Sequence, residues 1–375
     1  MSSNSGPAQL RFASGSCDTG PLTMMMRQQI NLVDSDTTQA FPTSDAHSYE
    51  GNRVATTAWG PASRITGLAG HFWTARSGLF SRVRELPYSA PFRCAVPSVR
   101  FGRIQLSGIL CDQPESDTLV LILHGAGGHA RSPCCAAAAE AAASAHLSSL
   151  RLSMRGADGS GEDIYHGGLT SDIQAALGIA QLGRYRSIVL LGYSMGGHTA
   201  LMAAIEQADP RITAVAAISA PLNLGEINDF LDARERRLYR RYLWSRYDRN
   251  YAALEARQRA PTPLARLRKA RSGRERDSLT IVPRFGFADA NEYYHRASVA
   301  THIQKLAIRV LLVQSQNDPI VPLQGLRSVL EHAPSCLTVR WLDTGGHVSF
   351  PPNLNLGQQA PLGLEHQVIR WLSKS

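Results

Sequence analysis

No run of about 18 apolar residues, the length that a membrane-spanning helix requires, occurs in this chain of 375 residues. The first residues, Met1-Ser-Ser-Asn-Ser-Gly, also lack the order of basic and then apolar residues that marks a secretory signal peptide. We therefore expect a soluble protein with a cytoplasmic location.

Cysteine is scarce as well, with six residues in the chain and no pair of the CxxC type that suggests zinc or redox chemistry. Adjacent Cys134 and Cys135 are interpreted as buried small residues at the start of a helix. Histidines and carboxylates form no cluster with metal-ligand spacing, and no nucleotide-binding fingerprint accompanies the glycines. We therefore expect no metal ion and no other cofactor.

Most of the chain has no excess of positive charge, although the net charge of the whole chain is +9. The segment from Asp232 to Asp277 holds 15 basic and 6 acidic residues, so it carries the whole excess and the remainder is neutral. This distribution argues against a nucleic-acid-binding protein. The basic segment is either a solvated helix face or a surface for an anionic partner, namely a membrane or a phosphate-bearing acyl carrier.

Hydrophobic residues make up 43% of the chain, which is enough for a large core. Residues 1–85 are rich in Ser, Thr, Gly and Pro with little periodicity, so we expect a poorly ordered N-terminal arm. The patch from Ile65 to Leu79 is the exception. It is interpreted as a segment that docks on the body of the protein or on a membrane surface.

Short apolar runs alternate with helical patterns from Phe92 onwards. The best-defined runs are Leu119 to Leu123, Leu150 to Met154, Ile188 to Leu191, Ile212 to Ser219, Ile308 to Val313 and Leu337 to Leu342. This alternation predicts an α/β fold with a mostly parallel sheet and helices on both faces. Right-handed crossovers bring the loops that follow the strands to one edge of that sheet, where we expect the chemistry.

The alternation stops after Pro221 and resumes about 80 residues later. We predict that residues 222–300 form a basic helical cap inserted after the sixth strand. Residues 86–221 and 301–375 would then form the core domain.

Ser194 lies at the corner between a predicted buried strand and a predicted helix, in the stretch Gly192-Tyr-Ser-Met-Gly-Gly197. A nucleophile elbow needs a serine on such a strained turn, with small residues on either side that let neighbouring backbone approach. The helix that follows points its positive end at the reacting oxygen. Ser194 is therefore the predicted nucleophile.

A serine hydroxyl needs a base within hydrogen-bond reach, and that base needs an orienting acid. Asp318 follows one late strand and His347 follows the next, so both belong to the same sheet edge as Ser194. The order Ser194, Asp318, His347 is that of α/β-hydrolases. Asp343 is the alternative acid, although it lies only four residues from His347 on the same loop.

Attack on an ester carbonyl creates an oxyanion that two backbone N–H groups typically hold. We assign these groups to Met195, which follows the nucleophile, and to Ala126 in the glycine-rich loop after the third strand. Gly125, Gly127 and Gly128 would let that loop turn its N–H groups inward.

The remaining predicted site residues are those expected to surround the substrate: His124, Gly125, Gly127, Tyr193, Tyr293 and Tyr294. His124 is interpreted chiefly as a loop-shaping residue rather than a second base. Tyr293 and Tyr294 are interpreted as packing between cap and core, with a contact to a substrate hydroxyl as the alternative. His166, beside a glycine turn, is interpreted as structural.

Residues from about 92 to 375 resemble the α/β-hydrolase fold serine esterase and lipase superfamily, in the branch with bacterial hydrolases, fungal medium-chain ethyl ester synthase/esterases and animal membrane-associated lipases. The residues that carry the resemblance are His124-Gly-Ala-Gly-Gly128, Met154-Arg-Gly156, Tyr165-His-Gly-Gly168, Leu169-Thr-Ser-Asp172, Gly192 to Gly197, Tyr293-Tyr294, Ala297-Ser298, Asp318-Pro319 and Gly345-Gly-His347. The family's triad maps onto Ser194, Asp318 and His347. Two features depart from it: Ser153 stands where this branch often has Asn, and the N-terminal arm is not covered.

The expected function is a serine hydrolase that cleaves carboxylic esters of acyl chains through an acyl-enzyme on Ser194, with a small-molecule acyl ester as substrate. Transfer of the same acyl group to an alcohol or amine is the first alternative, because the two reactions differ only after the acyl-enzyme has formed. A non-catalytic binding protein on a hydrolase scaffold is the second alternative.

Overall fold

The computed structural model describes the backbone of residues 47–48 together with residues 69–74 and 86–374. The predicted disorder of residues 1–85 therefore falls almost wholly outside the described residues. In these residues the strands are β1 (His47–Ser48), β2 (Ser89–Ser98), β3 (Gly102–Cys111), β4 (Thr118–Leu123), β5 (Ser148–Ser153), β6 (Ser187–Tyr193), β7 (Ile212–Ile218), β8 (Arg309–Ser315) and β9 (Leu337–Leu342).

These strands form a single sheet with the order β1-β9-β8-β7-β6-β4-β5-β3-β2. All neighbours from β5 to β9 are parallel, whereas β3 is antiparallel to both β5 and β2, and β1 to β9. Leu119 to Leu123 of β4 are completely buried, as expected for a strand covered on both faces. The predicted α/β fold with a mostly parallel sheet is confirmed.

Helices connect the strands and cover both faces of the sheet. Their bounds are α1 (residues 69–74), α2 (Pro133–Ser144), α3 (Ser171–Leu177), α4 (Met195–Ile205), α5 (Leu224–Asp232), α6 (Arg237–Ala256), α7 (Leu264–Leu267), α8 (Gly273–Leu279), α9 (Ile281–Phe285), α10 (Ala290–Ala297), α11 (Val299–His302), α12 (Leu323–Leu330) and α13 (Leu364–Leu372). Short 3₁₀ helices add residues Ala180–Leu182, Arg234–Arg236 and Ile303–Lys305.

The main core lies between the sheet and the helices α2 and α13. Val120 and Ile122 of β4 and Val189 and Leu191 of β6 pack there against the alanines of α2 and against Val368 of α13. Period-two alternation sends the intervening residues to the other face. Helix α4 packs against β6 and β7.

Helices α5 to α11 form the connection between β7 and β8. Ala233 interrupts the helical chain of this connection, because its extended backbone (φ −57°, ψ 146°) separates α5 from the following 3₁₀ turn. Tyr251, Leu254, Leu264 and Leu267 give these helices a small core of their own. This cluster shares no residue with the main core between the sheet and the helices α2 and α13.

A buried ion network joins the cap to the loop after β5. Arg155 donates to Asp172 at 2.8 Å and to Asp163 at 3.2 Å, and Arg284 of α9 pairs with Asp163 at 3.2 Å. The carboxylates and hydrogen bonds around Arg155 raise its pKa despite its burial. Breaking one member of such a buried network leaves an uncompensated charge, so the network fixes the cap over the sheet edge.

Across the described residues, no helix combines the length and the apolar character needed to span a bilayer.

Candidate active site

Ser194 occupies a strained turn between β6 and α4, with φ of 52° and ψ of −120°. A positive φ is uncommon for a residue with a side chain and costs free energy. The glycines on either side make the turn possible. A Cβ at Gly192 would lie 2.3 Å from the carbonyl oxygen of Gly196, and one at Gly196 would lie 2.4 Å from that of Leu123.

The imidazole of His347 lies between Ser194 and Asp318. The Ser194 hydroxyl is 2.9 Å from Nε2 of His347, and Nδ1 of His347 is 2.9 Å from Oδ2 of Asp318. Because a carboxylate only accepts hydrogen bonds, Nδ1 carries the proton and Nε2 is free to accept from Ser194. The three side chains therefore form a continuous hydrogen-bonded line.

Asp318 is held by more than the histidine. Its Oδ1 accepts from the backbone N–H groups of Ile320 and Val321, at 2.8 and 3.0 Å, and its Oδ2 accepts from Nε2 of Gln314 at 3.1 Å. Asp343, the alternative acid, is exposed and accepts instead from Nε2 of Gln316. The structure thus brings Asp318, and not Asp343, to the imidazole.

The predicted oxyanion donors, Ala126 and Met195, lie on the two segments that flank Ser194. Within the described residues neither backbone N–H donates to a protein acceptor, whereas the N–H of Gly127 donates to the hydroxyl of Tyr165 at 3.0 Å. A Cβ at Gly125 would lie 3.2 Å from Cβ of Ser194, so the glycine lets this loop approach the serine. Two unengaged donors therefore remain beside the nucleophile.

His124 shapes the glycine-rich loop. Its Nδ1 hydrogen-bonds the carbonyl of Gly125 at 2.8 Å, and its Nε2 accepts from the N–H of Met154 at 3.0 Å. Complete burial lowers the pKa of His124 to about 4, so the ring is neutral at neutral pH. With both nitrogens engaged by backbone, the imidazole offers no group to a substrate.

Tyr193 lies away from the position predicted for it beside the substrate. Its side chain is fully buried with Val189 and Leu191, and its hydroxyl donates to Oε1 of Glu365 on α13 at 3.3 Å. Residues 189, 191 and 193 share one face of β6 because side chains alternate along a strand. Tyr193 therefore supports the elbow from the core and does not contact the substrate side.

Tyr293 and Tyr294 are buried in the cap and pack next to Met195 in one hydrophobic cluster. The hydroxyl of Tyr294 donates to Oδ2 of Asp277 at 2.7 Å. Burial raises the pKa of Asp277 to about 6, which the hydrogen bond from Tyr294 and the charge of Arg276 only partly offset. This arrangement matches the interpretation of both tyrosines as packing between cap and core.

His166 sits among the rings of Phe285, Phe287 and Tyr293, with the Phe285 centroid at 4.5 Å. Its Nδ1 accepts from the N–H of Gly168 at 3.2 Å. Burial, followed by the charge of Arg155, lowers its pKa to about 3. A neutral ring enclosed by aromatic side chains fits the structural interpretation.

Ser153, which departs from the family pattern, has a clear role. Its hydroxyl accepts from the backbone N–H of Ala130 at 3.0 Å and so anchors the end of the glycine-rich loop. The short side chain of Ser153 therefore supplies a hydrogen-bond acceptor for this loop.

Helix α1 contacts the catalytic loops, which the sequence interpretation did not anticipate. The N–H of His347 donates to the hydroxyl of Thr74 at 2.8 Å, and that hydroxyl donates to the carbonyl of Gly70, also at 2.8 Å. A Cβ at Gly70 would lie 1.9 Å from the carbonyl oxygen of Asn317. The described part of the 65–79 patch thus packs on the loops that carry the base and the acid.

Arg246 of α6 is the second site residue that sequence reasoning missed. Its Nε donates to the carbonyl of Gly127 at 2.8 Å, and its Cβ lies 2.7 Å from the position that a Cβ at Gly127 would take. Seven residues earlier on the same helix, Tyr239 stacks on His71 of α1, with ring centroids 5.6 Å apart. Helix α6 therefore contacts both the oxyanion loop and α1.

Within the described ranges, no three His, Cys, Asp or Glu side chains are grouped so that they could hold a metal ion. The site is thus built from a serine, an imidazole, a carboxylate and backbone N–H groups.

The model of the alpha/beta hydrolase fold family matches residues 118–354. Because this match covers more than half of the chain, the chain belongs to that family.

Two curated relatives and one solved structure illustrate its similarities. YheT of Escherichia coli (strain K12), named as a candidate esterase, is 28% identical over 270 residues, which are 70% of this chain and 78% of YheT. The medium-chain fatty acid ethyl ester synthase/esterase 2 of Saccharomyces cerevisiae is 32% identical over 90 residues, 24% of this chain and 20% of the yeast protein. The Pyrococcus furiosus esterase Pf2001 aligns with a TM-score of 0.46 at 15% identity, over 69% of this chain and 84% of its own.

Proposed function

We propose that this protein is a serine hydrolase that cleaves carboxylic esters of acyl chains through an acyl-enzyme on Ser194. The observation that carries the proposal is the line from Asp318 through His347 to Ser194, with 2.9 Å at both hydrogen bonds and the serine on a strained turn. At the level of the family, ester hydrolysis is supported by relatives named as esterases.

In the proposed reaction, His347 accepts the proton of Ser194 as the hydroxyl oxygen attacks the ester carbonyl. Asp318 keeps Nδ1 of His347 protonated and stabilises the imidazolium. The N–H groups of Ala126 and Met195 hold the oxyanion; removal of one side-chain donor from such a site costs roughly 2.7–4 kcal/mol in a well-studied case. His347 then protonates the departing alcohol, and water deprotonated by the same nitrogen releases the acid.

The test replaces Ser194 with Ala and measures hydrolysis of p-nitrophenyl esters of different chain lengths. We expect kcat to fall by at least about 10⁴-fold. Ser187→Ala is the matched control, because Ser187 begins the same strand β6 at the end opposite the elbow. Undiminished activity of Ser194→Ala would contradict the mechanism.

Acyl transfer is the second candidate, because the yeast relative is named both as a synthase and as an esterase. Product analysis with a competing alcohol separates the two: a transferase gives mostly the new ester at alcohol concentrations where a hydrolase still gives mostly the acid. A fluorophosphonate that labels folded wild-type protein, but not Ser194→Ala, would exclude the non-catalytic alternative. The predicted cytoplasmic location stays a prediction.

A further inference from the structure

Helix α6 has an exposed face rich in arginine. Arg237, Arg241 and Arg249 follow one another at spacings of four and eight residues, which places them on one side of the helix. All three are exposed, as is Arg234 just before the helix. Among the described residues none of these four has an acidic partner. Glu235 and Asp248 are the acids interspersed with them in sequence, and Asp248 pairs instead with Arg268 and Arg276.

Several other arginines of the cap differ in this respect. Arg240 pairs with Asp232 at 3.1 Å, Arg268 with Asp248 at 3.3 Å and Arg274 with Asp229 at 3.1 Å. Arg276 also pairs with Asp248. Arg266, Lys269 and Arg271 are also exposed and have no acidic partner among the described residues. The unpaired positive charge of the cap therefore lies on the outer face of α6 and on this second, shorter stretch.

Apolar side chains lie among these arginines. Leu238 is 37% exposed and Tyr242 is 38% exposed, four residues apart on the same face. Phe72 of α1 is 51% exposed, and its neighbour His71 stacks on Tyr239 of α6. A helix face that combines guanidinium groups with exposed aliphatic and aromatic groups fits the boundary between lipid headgroups and acyl chains.

The inner face of the same helix lies against the site. Arg246 contacts the oxyanion loop at Gly127, and Tyr239 contacts α1, whose Thr74 contacts His347. The arginine face is thus on the outside of an element whose inside borders the catalytic loops. A lipid surface bound by the outer face of α6 would hold its esters next to the site.

We propose that the outer face of α6 docks on an anionic lipid surface and so presents the site to lipid-borne esters. The delivery of esters rests on the proposed function, whereas the docking does not. The arginines complement the charge of an anionic lipid surface. The exposed Leu238 and Tyr242 favour such a surface over an acidic acyl carrier protein.

The experiment is sedimentation of the full chain with vesicles of phosphatidylcholine containing about 30% phosphatidylglycerol, and with pure phosphatidylcholine vesicles, at about 50 mM and about 500 mM salt. We expect strong binding to the anionic vesicles at low salt only. The triple variant Arg237→Glu, Arg241→Glu, Arg249→Glu should bind at least about 100-fold more weakly.

The matched control carries the same change of charge at three exposed arginines elsewhere: Arg93→Glu, Arg186→Glu, Arg370→Glu. It should retain most of the binding. Hydrolysis of water-soluble p-nitrophenyl acetate should be the same in both triple variants and the wild type. If the catalytic proposal is wrong, the protein does not hydrolyse this ester but still binds the vesicles. If the docking proposal is wrong, the protein hydrolyses the ester but does not bind the vesicles as expected, so the two failures are distinguishable.

Three outcomes would overturn the docking proposal. Wild-type protein could bind both kinds of vesicle equally, or the control variant could lose as much binding as the α6 variant. The protein could also fail to bind vesicles and instead bind an acidic acyl carrier protein, and the α6 variant could lose that binding. Leu238→Ser with Tyr242→Ser separates the apolar contribution, and it should weaken vesicle binding without changing its salt dependence.

Discussion

The loops at the carboxyl edge of the sheet and the segments that cover them, α1 and α6, are held in place by different means. Ser194 and Asp318 are fixed by local backbone: a strained turn between glycines and two N–H groups within three residues of the carboxylate. The covering segments pack on these loops, and each donates or accepts one hydrogen bond there through a single side chain, Thr74 or Arg246. We call these loops the edge, and α1 and α6 the cover. We infer that the edge supplies the catalytic groups and that the cover positions them, so substitutions at the edge should reduce activity far more than substitutions in the cover.

The largest effect is expected from the edge, with Asp318→Asn. An amide can donate to Nδ1 of His347 and so stabilise the wrong tautomer, which removes the base from Ser194. We expect kcat for a soluble p-nitrophenyl ester to fall by about 10⁴-fold. Asp343→Asn is the control, since Asp343 contacts Gln316 and not the imidazole, and a loss of similar size there would assign the acid to Asp343.

In the cover, the largest effect is expected from Arg246→Met. It removes the donor to the carbonyl of Gly127 and leaves the oxyanion loop less well positioned. A hydrogen bond from a charged group contributes roughly 1.5–3 kcal/mol, so we expect kcat to fall by about 10- to 150-fold with KM within about twofold.

Arg249→Met serves as the control for Arg246→Met, because Arg249 lies on the exposed face of the same helix. It should leave kcat for soluble esters unchanged. Equal losses in both variants would show that helix charge, and not the contact with Gly127, matters.

A smaller effect, on stability, is expected from Asp277 in the cap. Burial raises its pKa from 3.8 to about 6, so the folded protein holds this proton more tightly than the unfolded chain. The stabilisation is complete below the unfolded pKa of 3.8 and is lost as the pH rises through about 6. Because the residue is only half-buried, solvent screens part of the effect.

Urea unfolding of the wild type and Asp277→Asn at several pH values between about 4 and 8 measures this effect. Relative to the variant, the wild type should lose about 1–2 kcal/mol over that range. Tyr294→Phe removes a hydrogen bond that lowers the pKa of Asp277, so its transition should move to higher pH. The same pH dependence in wild type and Asp277→Asn would contradict the assignment.

The edge could be predicted from the sequence because its signals are local. Short apolar runs predict the strands. Ser194 directly follows one strand, and Asp318 and His347 lie in the loops that follow two others. Tyr193 was misplaced although its signal was local too: period-two alternation with Val189 and Leu191 assigns it to the core.

The cover could not be predicted, because its contacts join residues far apart in the chain. Thr74 and His347 are 273 residues apart, and Gly127 and Arg246 are 119 apart. A threonine in a Ser- and Thr-rich arm and one arginine among many carry no local mark of such a contact. The tertiary packing of α1 and α6 alone determines which threonine contacts the loop of His347 and which arginine contacts the loop of Gly127.

The smallest effect, expected from Thr74, is the sharpest test of this division between edge and cover. Thr74→Val keeps the shape of the side chain but removes the acceptor for the N–H of His347 and the donor to Gly70. An ordinary hydrogen bond contributes about 1 kcal/mol, so we expect kcat to fall by about fivefold with KM unchanged. Thr74→Ser keeps the hydroxyl and should restore the wild-type kcat.

Active-site titration with a fluorophosphonate distinguishes positioning from mere stability in the Thr74 variants. If Thr74 orients the imidazole through its backbone, every folded Thr74→Val molecule is labelled, but at a rate reduced by the same factor as kcat. If Thr74 only stabilises the fold, a fraction of the molecules is not labelled and the remainder reacts at the wild-type rate. Equal kcat in the Val and Ser variants would mean that α1 covers the catalytic loops without positioning them.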